Sequence, residues 1–402
     1  MGFTTDNVPA RRIAQVAGVG GIAVGVVSLI ALYSTKPINP LIAVASFVPI
    51  LLAVTLAASL ICLVFRRWIL LAISVVLIAV GASVISPLYV ANSSEIDGPT
   101  LRVMQANLLF GQADPASLTA TVREKAVDVL TVQELTTSLE GSLRDQGLEQ
   151  LLPHHYLVPD EAGGGGGAGI YSRYPLTDTR ELNGFGPTNL VAEVGFSTPF
   201  TLLAVHPPGP AYVTPPPDVW TAELSTLRNA LDAAAAEETV IVSGDFNTTF
   251  THKQFRDLLD VGYSDAADQL GVGIVRTYPA DKKFPAIVGI DHVLLRGRTG
   301  EVTRADRHRR FRSLRLDRRR GDPPQLVGEH PTRANALRIT RASACFDPTH
   351  RSSDAGDAAY AGRSTGPPRI RPETGRRDNL PDAARRRSSA ATPPMRCRSC
   401  RS

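Results

Sequence analysis

The stretch Val240-Ile241-Val242-Ser243-Gly244-Asp245-Phe246-Asn247 decides how this chain is read. Three β-branched residues make a short strand, and Gly-Asp-Phe-Asn follows where side chains leave a sheet. Four other words share that arrangement: Gln105-Ala106-Asn107, Gln133-Glu134, Val205-His206 and Gly289-Ile290-Asp291-His292 each set a polar residue after, or within, a short apolar run. The β-rich runs cover residues 101–107, 127–132, 200–205, 240–242 and 290–295. Helical patterns lie between several of them, clearest at 220–237, where Leu224, Leu227 and Leu231 recur at helical spacing. Residues 101–297 therefore read as one α/β domain, long enough for a sizeable core. Polar residues at successive strand ends can converge on one site. Taken singly each has a plainer reading: an Asn after a strand is a turn residue, a Glu opens a helix, and a lone His is hydrogen-bonded structure. The run 163–167, five glycines, reads as a flexible loop, and the Pro-rich stretch 207–217 as a rigid connection.

Before this domain, residues 13–32, 41–64 and 69–90 are apolar stretches, each near the roughly 20 residues that span a bilayer. The break between the second and third is Phe65-Arg66-Arg67-Trp68, two charges between aromatic residues, as at a membrane interface. Three such runs in succession exceed what a cleaved leader would explain. Arg11 and Arg12 precede the first span, Lys36 alone follows it, and Arg66 and Arg67 follow the second. By the positive-inside rule, residues 1–12 and the second loop are cytoplasmic, so everything after the third span lies outside the cell membrane. Residues 91–100 are a short polar linker.

The chain has 402 residues, with 43 Lys+Arg against 38 Asp+Glu. Residues 301–402 hold 24 of those cations, all arginine, and only 11 of the acids, so the basic balance belongs to the tail and residues 1–300 are net acidic. Within 101–297 the only lysines are Lys125, Lys253, Lys282 and Lys283. A nucleic-acid-binding cleft is lined with cations, so this composition argues against nucleic acid as the partner of residues 101–297. The four cysteines, Cys62, Cys345, Cys397 and Cys400, all lie outside residues 100–300, which excludes a disulfide framework or a Cys-ligated zinc there.

In this order the five words resemble the endonuclease/exonuclease/phosphatase superfamily, the metal-dependent phosphodiesterases that include pancreatic-type deoxyribonuclease, here in a membrane-anchored bacterial form. Supporting words are Val127-Asp128-Val129-Leu130, Ile170-Tyr171-Ser172-Arg173-Tyr174-Pro175-Leu176 and Thr277-Tyr278-Pro279. The resemblance implies a four-layer α/β sandwich, two mixed β-sheets flanked by helices, with its site at one end of the sheets. It implies that Glu134, with Asn107 beside it, holds Mg2+ (or Mn2+), and that Asp245 and Asn247 position and activate water. His206 would hydrogen-bond the phosphate, Asp291 would orient a second histidine, and Arg173 matches a position that can touch substrate phosphate or form a structural ion pair. The physics agrees: a hard cation held by few oxygen ligands suits a transition state that spreads charge over phosphate oxygens. The implied partners are the lipid bilayer and a phosphate-ester substrate. No obligate protein partner is indicated.

One element is missing. The family places a second Asp-His pair, usually within Ser-Asp-His, a few tens of residues after the word at Asp291. Here His308, His330 and His350 follow Arg, Glu and Thr, and His292 occupies a position that is normally structural. Residues 311–322 can be encoded so that reading one nucleotide later yields Ser-Asp-His-Tyr-Gly-Ser-Thr-Val-Asp-Val-Ala, with a stop soon after. Residues 298–402 accordingly read as an Arg-rich, disordered tail in a shifted frame, and the chain as written as one of little or no activity. The alternative is an authentic tail on a non-catalytic membrane-bound binding module, or pseudoenzyme, of the same fold. Resequencing the gene from the codon of Ile290 to that of Thr332 is expected to show a single-nucleotide shift between residues 297 and 311. A frame that stands as written would favour the binding module.

Overall fold

The computed structural model describes residues 8–91, 100–210, 216–280, 282, 284–297, 300–303 and 313–316. The apolar N-terminal region forms α1 (Val8–Tyr33), α2 (Asn39–Ser46), α3 (Val48–Val64) and α4 (Trp68–Ile85), which runs into a 3-10 turn at Ser86–Tyr89. Residues 8–12, expected to precede the first span, are the first turns of α1. Two helices are long and apolar enough to cross a bilayer, Val8–Tyr33 and Trp68–Tyr89. The stretch expected as the second span is broken: α2 and α3 meet at a 71° bend and make a third span only if counted together. Pro49, in the first turn of α3, explains the break, since it brings no amide hydrogen and disfavours helical backbone before it.

The helices pack closely because α1 carries glycines on its inner face: a Cβ on Gly21 would lie 2.3 Å from that of Ala58. Thr55 Oγ1 also donates to the Gly21 carbonyl at 3.2 Å. At one end of the bundle Arg67 donates to the Arg11 carbonyl at 2.9 Å. At the other end Leu32, Val48, Leu52, Ile85 and Leu88 cluster, and Phe250 and Ile274 of the following domain pack on them. The arginine-bearing end and the domain therefore lie at opposite ends of the bundle.

The domain runs β1 (Thr100–Leu101), β2 (Val103–Asn107), α5 (Pro115–Glu124), β3 (Val129–Gln133), α6 (Thr137–Asp145), α7 (Leu148–Leu151), β4 (His154–Val158), β5 (Ala168–Ser172), β6 (Leu176–Glu181) and β7 (Leu190–Val194). It continues through β8 (Phe200–Val205), α8 (Pro217–Ala234), β9 (Thr239–Asp245), α9 (Lys253–Leu259), β10 (Ser264–Asp265), α10 (Ala266–Gln269) and β11 (Asp291–Gly297). One sheet has the order β2-β3-β5-β4, the other β10-β11-β9-β8-β7-β6. Both are mixed, parallel at β2–β3 and at β8–β9 and antiparallel elsewhere. Two strands of the predicted tail, β12 (Gly300–Thr303) and β13 (Ser313–Leu316), join β1 in a small third sheet of order β1-β13-β12. The onset of irregular chain expected at 298 is thus corrected for these eight residues. The rest of the tail, residues 1–7, most of the linker (92–99) and 211–215 of the Pro-rich stretch lie outside the described residues.

Period-two alternation builds the four layers. Val103, Val129, Ile170, Leu202, Ile241 and Val293 point between the sheets. Met104, Leu130 and Val132 face α5 and α6, while Val240, Val242 and Leu294 face Trp220, Leu224, Leu227 and Leu231 of α8 and Phe255 and Leu258 of α9. Each fully buried residue of this kind contributes about 1.5–3 kcal/mol over leaving it exposed.

The helix-side core of the larger sheet is completed from the membrane region. Ile42 of α2 is 6% exposed and packs with Trp220 and Phe246. His252, buried at the N-terminus of α9, accepts the Thr249 amide at Nδ1 (2.9 Å), so its Nε2 carries the proton and donates to the Ile42 carbonyl at 3.0 Å. Arg256 donates to the Leu32 carbonyl. Burial, the leading cause, lowers the His252 pKa from 6.5 to about 4. The unfolded chain then binds more protons than the native one between those values, so stability is complete above 6.5 and lost as pH falls towards 4. Thermal unfolding in detergent, followed by tryptophan fluorescence, is expected to show a midpoint that falls over this window, with His252→Gln flattening the slope.

Candidate active site

The interior between the sheets changes character along the strands. Below, the inward residues are apolar. One step up, Thr131 of β3 and Ser243 of β9 bridge the sheets at 2.8 Å, Oγ1 to Oγ. At the next level Gln105 donates to Gln133 Oε1 at 2.7 Å and to Asp291 Oδ1 at 3.0 Å. At the open end Asn107, Glu134, His206, Asp245 and Asp291 come together, delivered by the ends of β2, β3, β8 and β9 and the start of β11. Alternation points all five the same way, because each stands an even number of residues from an inward apolar position of its strand, or opens the turn beyond it.

Asn107 is the centre of this group. Its amide nitrogen donates to Glu134 Oε1 at 2.8 Å and to Asp245 Oδ2 at 3.1 Å, and its oxygen accepts the Leu109 amide at 2.9 Å. Glu134 Oε2 accepts the Phe110 amide at 2.6 Å. Asp245 Oδ1 accepts the Asn247 amide at 2.8 Å, and the Asn247 side chain donates to the Pro207 carbonyl at 2.9 Å. Glu134 and Asn247 both have left-handed backbone, φ 58° and 48°. Non-glycine residues hold that conformation at a cost that clusters at functional sites. Gly244 is required beside Asp245, since a Cβ there would lie 1.9 Å from the Val205 carbonyl oxygen of the neighbouring strand.

The electrostatics are those of an acidic pocket. Asp245 and Asp291 stand directly opposite each other on β9 and β11. Burial, then the Asp291 charge, raises the Asp245 pKa well above the usual carboxylate range. Burial also raises Glu134. His206 is 6% exposed, with Nε2 3.8 Å from Glu134 Oε1, and burial lowers its pKa to about 4, so it is neutral at pH 7. Its backbone amide is held by Asn189 Oδ1 at 2.7 Å, and its buried Nδ1 has no hydrogen-bond partner. Among the described residues no lysine or arginine pairs with Glu134 or Asp245.

These residues fit a hard divalent cation. The carboxylate oxygens are those of Glu134 and Asp245, with the Asn107 amide between them, and among the described residues no lysine or arginine pairs with either. No cluster of three or more His, Cys, Asp or Glu able to hold a metal occurs among the described residues. Mg2+ does not need one, since it keeps several waters and takes one or two carboxylates.

Arg173 falls away from this site. Arg173 follows β5, whose register sets Ser172 against Val129, so it lies at the opposite end of the sheet from Glu134. There it pairs with Asp128 at 3.1 Å and donates to the Val127 carbonyl. Of the two roles open to it, the geometry supports the ion pair. His292 is buried on the helix side between Asp265 (2.6 Å) and the Thr248 carbonyl (3.0 Å), outside the acidic pocket. The glycine run is held, not loose: Asp160 accepts the Ala162 and Gly166 amides at 2.9 and 3.0 Å, and a Cβ on Gly167 would meet the Leu135 carbonyl oxygen at 2.1 Å. Gln105 and Gln133 stand in the strand-end words without a role assigned from the sequence, and Asn189 has no place in that reading. Their signal is a polar side chain at, or just beyond, an inward position of a strand.

Replacing Asn107 by Ala is expected to weaken Mn2+ binding about tenfold or more without unfolding the domain, measured by electron paramagnetic resonance titration. Arg173→Ala is expected to lower stability by less than about 1 kcal/mol and to leave Mn2+ binding unchanged.

The Endonuclease/Exonuclease/phosphatase family model matches residues 104–319, beyond the domain end expected at 297. No curated protein matches the chain in sequence. Among solved structures, the chain is similar to D. rerio TDP2 complexed with single strand DNA product, at 20% identity over 51% of this chain and 88% of that one, with a TM-score of 0.42. It is similar to sphingomyelinase C from Streptomyces griseocarneus at 15% identity, over 55% and 96%, with a TM-score of 0.40. A third is the endonuclease/exonuclease/phosphatase from Beutenbergia cavernae, at 16% identity, over 52% and 66%, with a TM-score of 0.41. With its family match covering more than half its length, this chain belongs to the endonuclease/exonuclease/phosphatase family.

Proposed function

We propose that the protein is a membrane-anchored, Mg2+-dependent hydrolase of phosphate esters whose catalytic domain faces outward from the cell membrane. The observation that carries this reading is the convergence of Asn107, Glu134, His206, Asp245 and Asp291 at one end of the sheets. Glu134 and Asn107 would hold the ion, which when bound supplies positive charge for the phosphate oxygens. Asp245, whose raised pKa makes it a better proton acceptor, takes a proton from the attacking water, and Asn247 fixes the loop that aims it. His206, neutral and with its Nε2 3.8 Å from Glu134 Oε1, would offer a hydrogen bond to the phosphate. Hydrolysis places the water oxygen on phosphorus and a proton on the departing alcohol.

Orientation follows from charge. Arg11, Arg12, Arg66 and Arg67 belong to the end of the bundle away from the domain, and the positive-inside rule makes that end cytoplasmic. A second reading, a binding module of the same fold, is favoured by one observation: no Asp-His pair follows Asp291.

Purified full-length protein assayed on bis(p-nitrophenyl) phosphate separates the two. The enzyme reading expects Mg2+-dependent turnover, abolished by EDTA, low in the chain as written and raised when the Ser-Asp-His frame is restored. It also expects Asp245→Asn to reduce turnover about 100-fold or more. Mn2+ binding with no turnover in either form would establish the binding module.

A further inference from the structure

A cavity of about 400 Å3 lies where the broken membrane segment meets the domain, within the roughly 300–1,000 Å3 range of ligand pockets. One wall is the bend itself, with Phe47 and Ile50, and Leu88 from the end of α4. The other is the segment leading into β11, with Phe284, Ala286 and Ile287. Phe47, Ile50, Phe284 and Ile287 are 39–53% exposed, a concentration of large apolar surface beyond what a soluble face carries by chance. Most polar groups of the lining serve one another or the helix, His292 with Asp265, Thr249 with Thr251 and His252, and Ser46 with the Ile42 carbonyl, and Arg276 also lines the cavity. The cavity therefore offers apolar volume and no catalytic group of its own.

Its position relative to the acidic pocket gives that volume a meaning. The segment that supplies Thr249 and Thr251 to the cavity is the one that carries Asn247, and Gly289 and His292 of the lining flank Asp291. Trp220 links the two places, donating to the Asn247 carbonyl at 3.2 Å and stacking edge-on to His252, which is bonded to Ile42 of α2. The opposite lip of the pocket is also apolar: Leu109 and Phe110, beside the Asn107 oxygen and Glu134, are 41% and 51% exposed. An acidic pocket with apolar lips, fastened to the bilayer end of a membrane bundle, is the wrong surface for a polyanion in solution. It suits an ester that is itself part of the bilayer.

We infer that this cavity receives an acyl chain of a phospholipid from the same membrane and presents its phosphate ester to the site formed by Asn107, Glu134, His206 and Asp245. The inference rests on the proposed hydrolase reading for its catalytic half. Lateral entry past Phe47 and Ile50 keeps the chain in apolar surroundings, at about 0.8 kcal/mol per buried methylene, while the headgroup extends past Gly289 of the lining towards Asp291, two residues on.

The full-length protein is reconstituted in phosphatidylcholine vesicles containing a phosphatidylcholine with a diazirine near its acyl terminus, irradiated, and the labelled residues mapped by mass spectrometry. Label concentrated at 46–50 and 284–289, and reduced about fivefold or more by Ala286→Trp while label on α4 is unchanged, is the expected result. Ile50→Trp closes the same cavity from the membrane side and gives the same outcome if Ala286→Trp does not fold. Label spread over the outer faces of α1, α3 and α4 without enrichment at the cavity would overturn the inference. This labelling needs no turnover, so it stands apart from the hydrolase reading. In the frame-restored protein, Ala286→Trp is expected to lower phospholipid hydrolysis about tenfold and bis(p-nitrophenyl) phosphate hydrolysis less than twofold. Equal losses on both, or preference for plasmid DNA, would also overturn it.

Discussion

Two sheets packed face to face are the constraint on which the rest of this molecule depends. Their inward residues must fill one slab, so Val103, Val129, Ile241 and Val293 meet across it and supply the cohesion. The Thr131–Ser243 contact above them adds only about 0.5–1.5 kcal/mol, far less than the valines and isoleucines below. Its value is positional: it and the Gln105–Gln133–Asp291 bonds fix the register of β2, β3, β9 and β11 where a slip of one residue would turn every carboxylate out of the pocket.

That rigidity is what makes the open end chemically unusual. Asp245 and Asp291 are opposite one another, with Glu134 joined to Asp245 through a single amide. Mutually repelling carboxylates in a buried place persist only because the sheets below hold them there. Burial raises the pKa of both Asp245 and Glu134, with the Asp291 charge adding to it at Asp245, and a bound cation would offset that cost. On the proposed reading, such an acidic pocket would repel an anionic ester until a cation is bound, and substrate binding would then depend on metal binding.

The apolar N-terminal helices pack into the domain's own core. Ile42 enters a core otherwise built by α8, α9 and β9, and His252 and Arg256 take up backbone carbonyls at the ends of helices. The Leu32 carbonyl is one that a helix end leaves without an internal partner, while the Ile42 carbonyl, which also accepts Ser46 Oγ, takes His252 as a further donor. Domain and bundle thus satisfy each other.

Much of the chain was legible without coordinates. The apolar segments, the five strand-end words and the helix around Leu224 and Leu227 follow from local periodicity, and periodicity is a property of neighbours in sequence. Strands β4, β6 and β10 were not legible, because His154–Val158 is a half-buried edge strand without alternation, Leu176–Glu181 is a mostly exposed edge strand whose pattern is polar, and Ser264–Asp265 is too short to carry one. The break at Phe47 needed the helix pair to be seen, since a proline in a first turn fits a continuous span about as well as a bent one. Sequence by itself determined which residues could be site residues, because polar side chains at the ends of apolar strands are costly unless used. Only tertiary structure decided which of them meet. Strand order and antiparallel register carried Arg173 to the far end of the sheet and His292 to its outer face, and brought Asp291 against Asp245 across about 46 positions of chain.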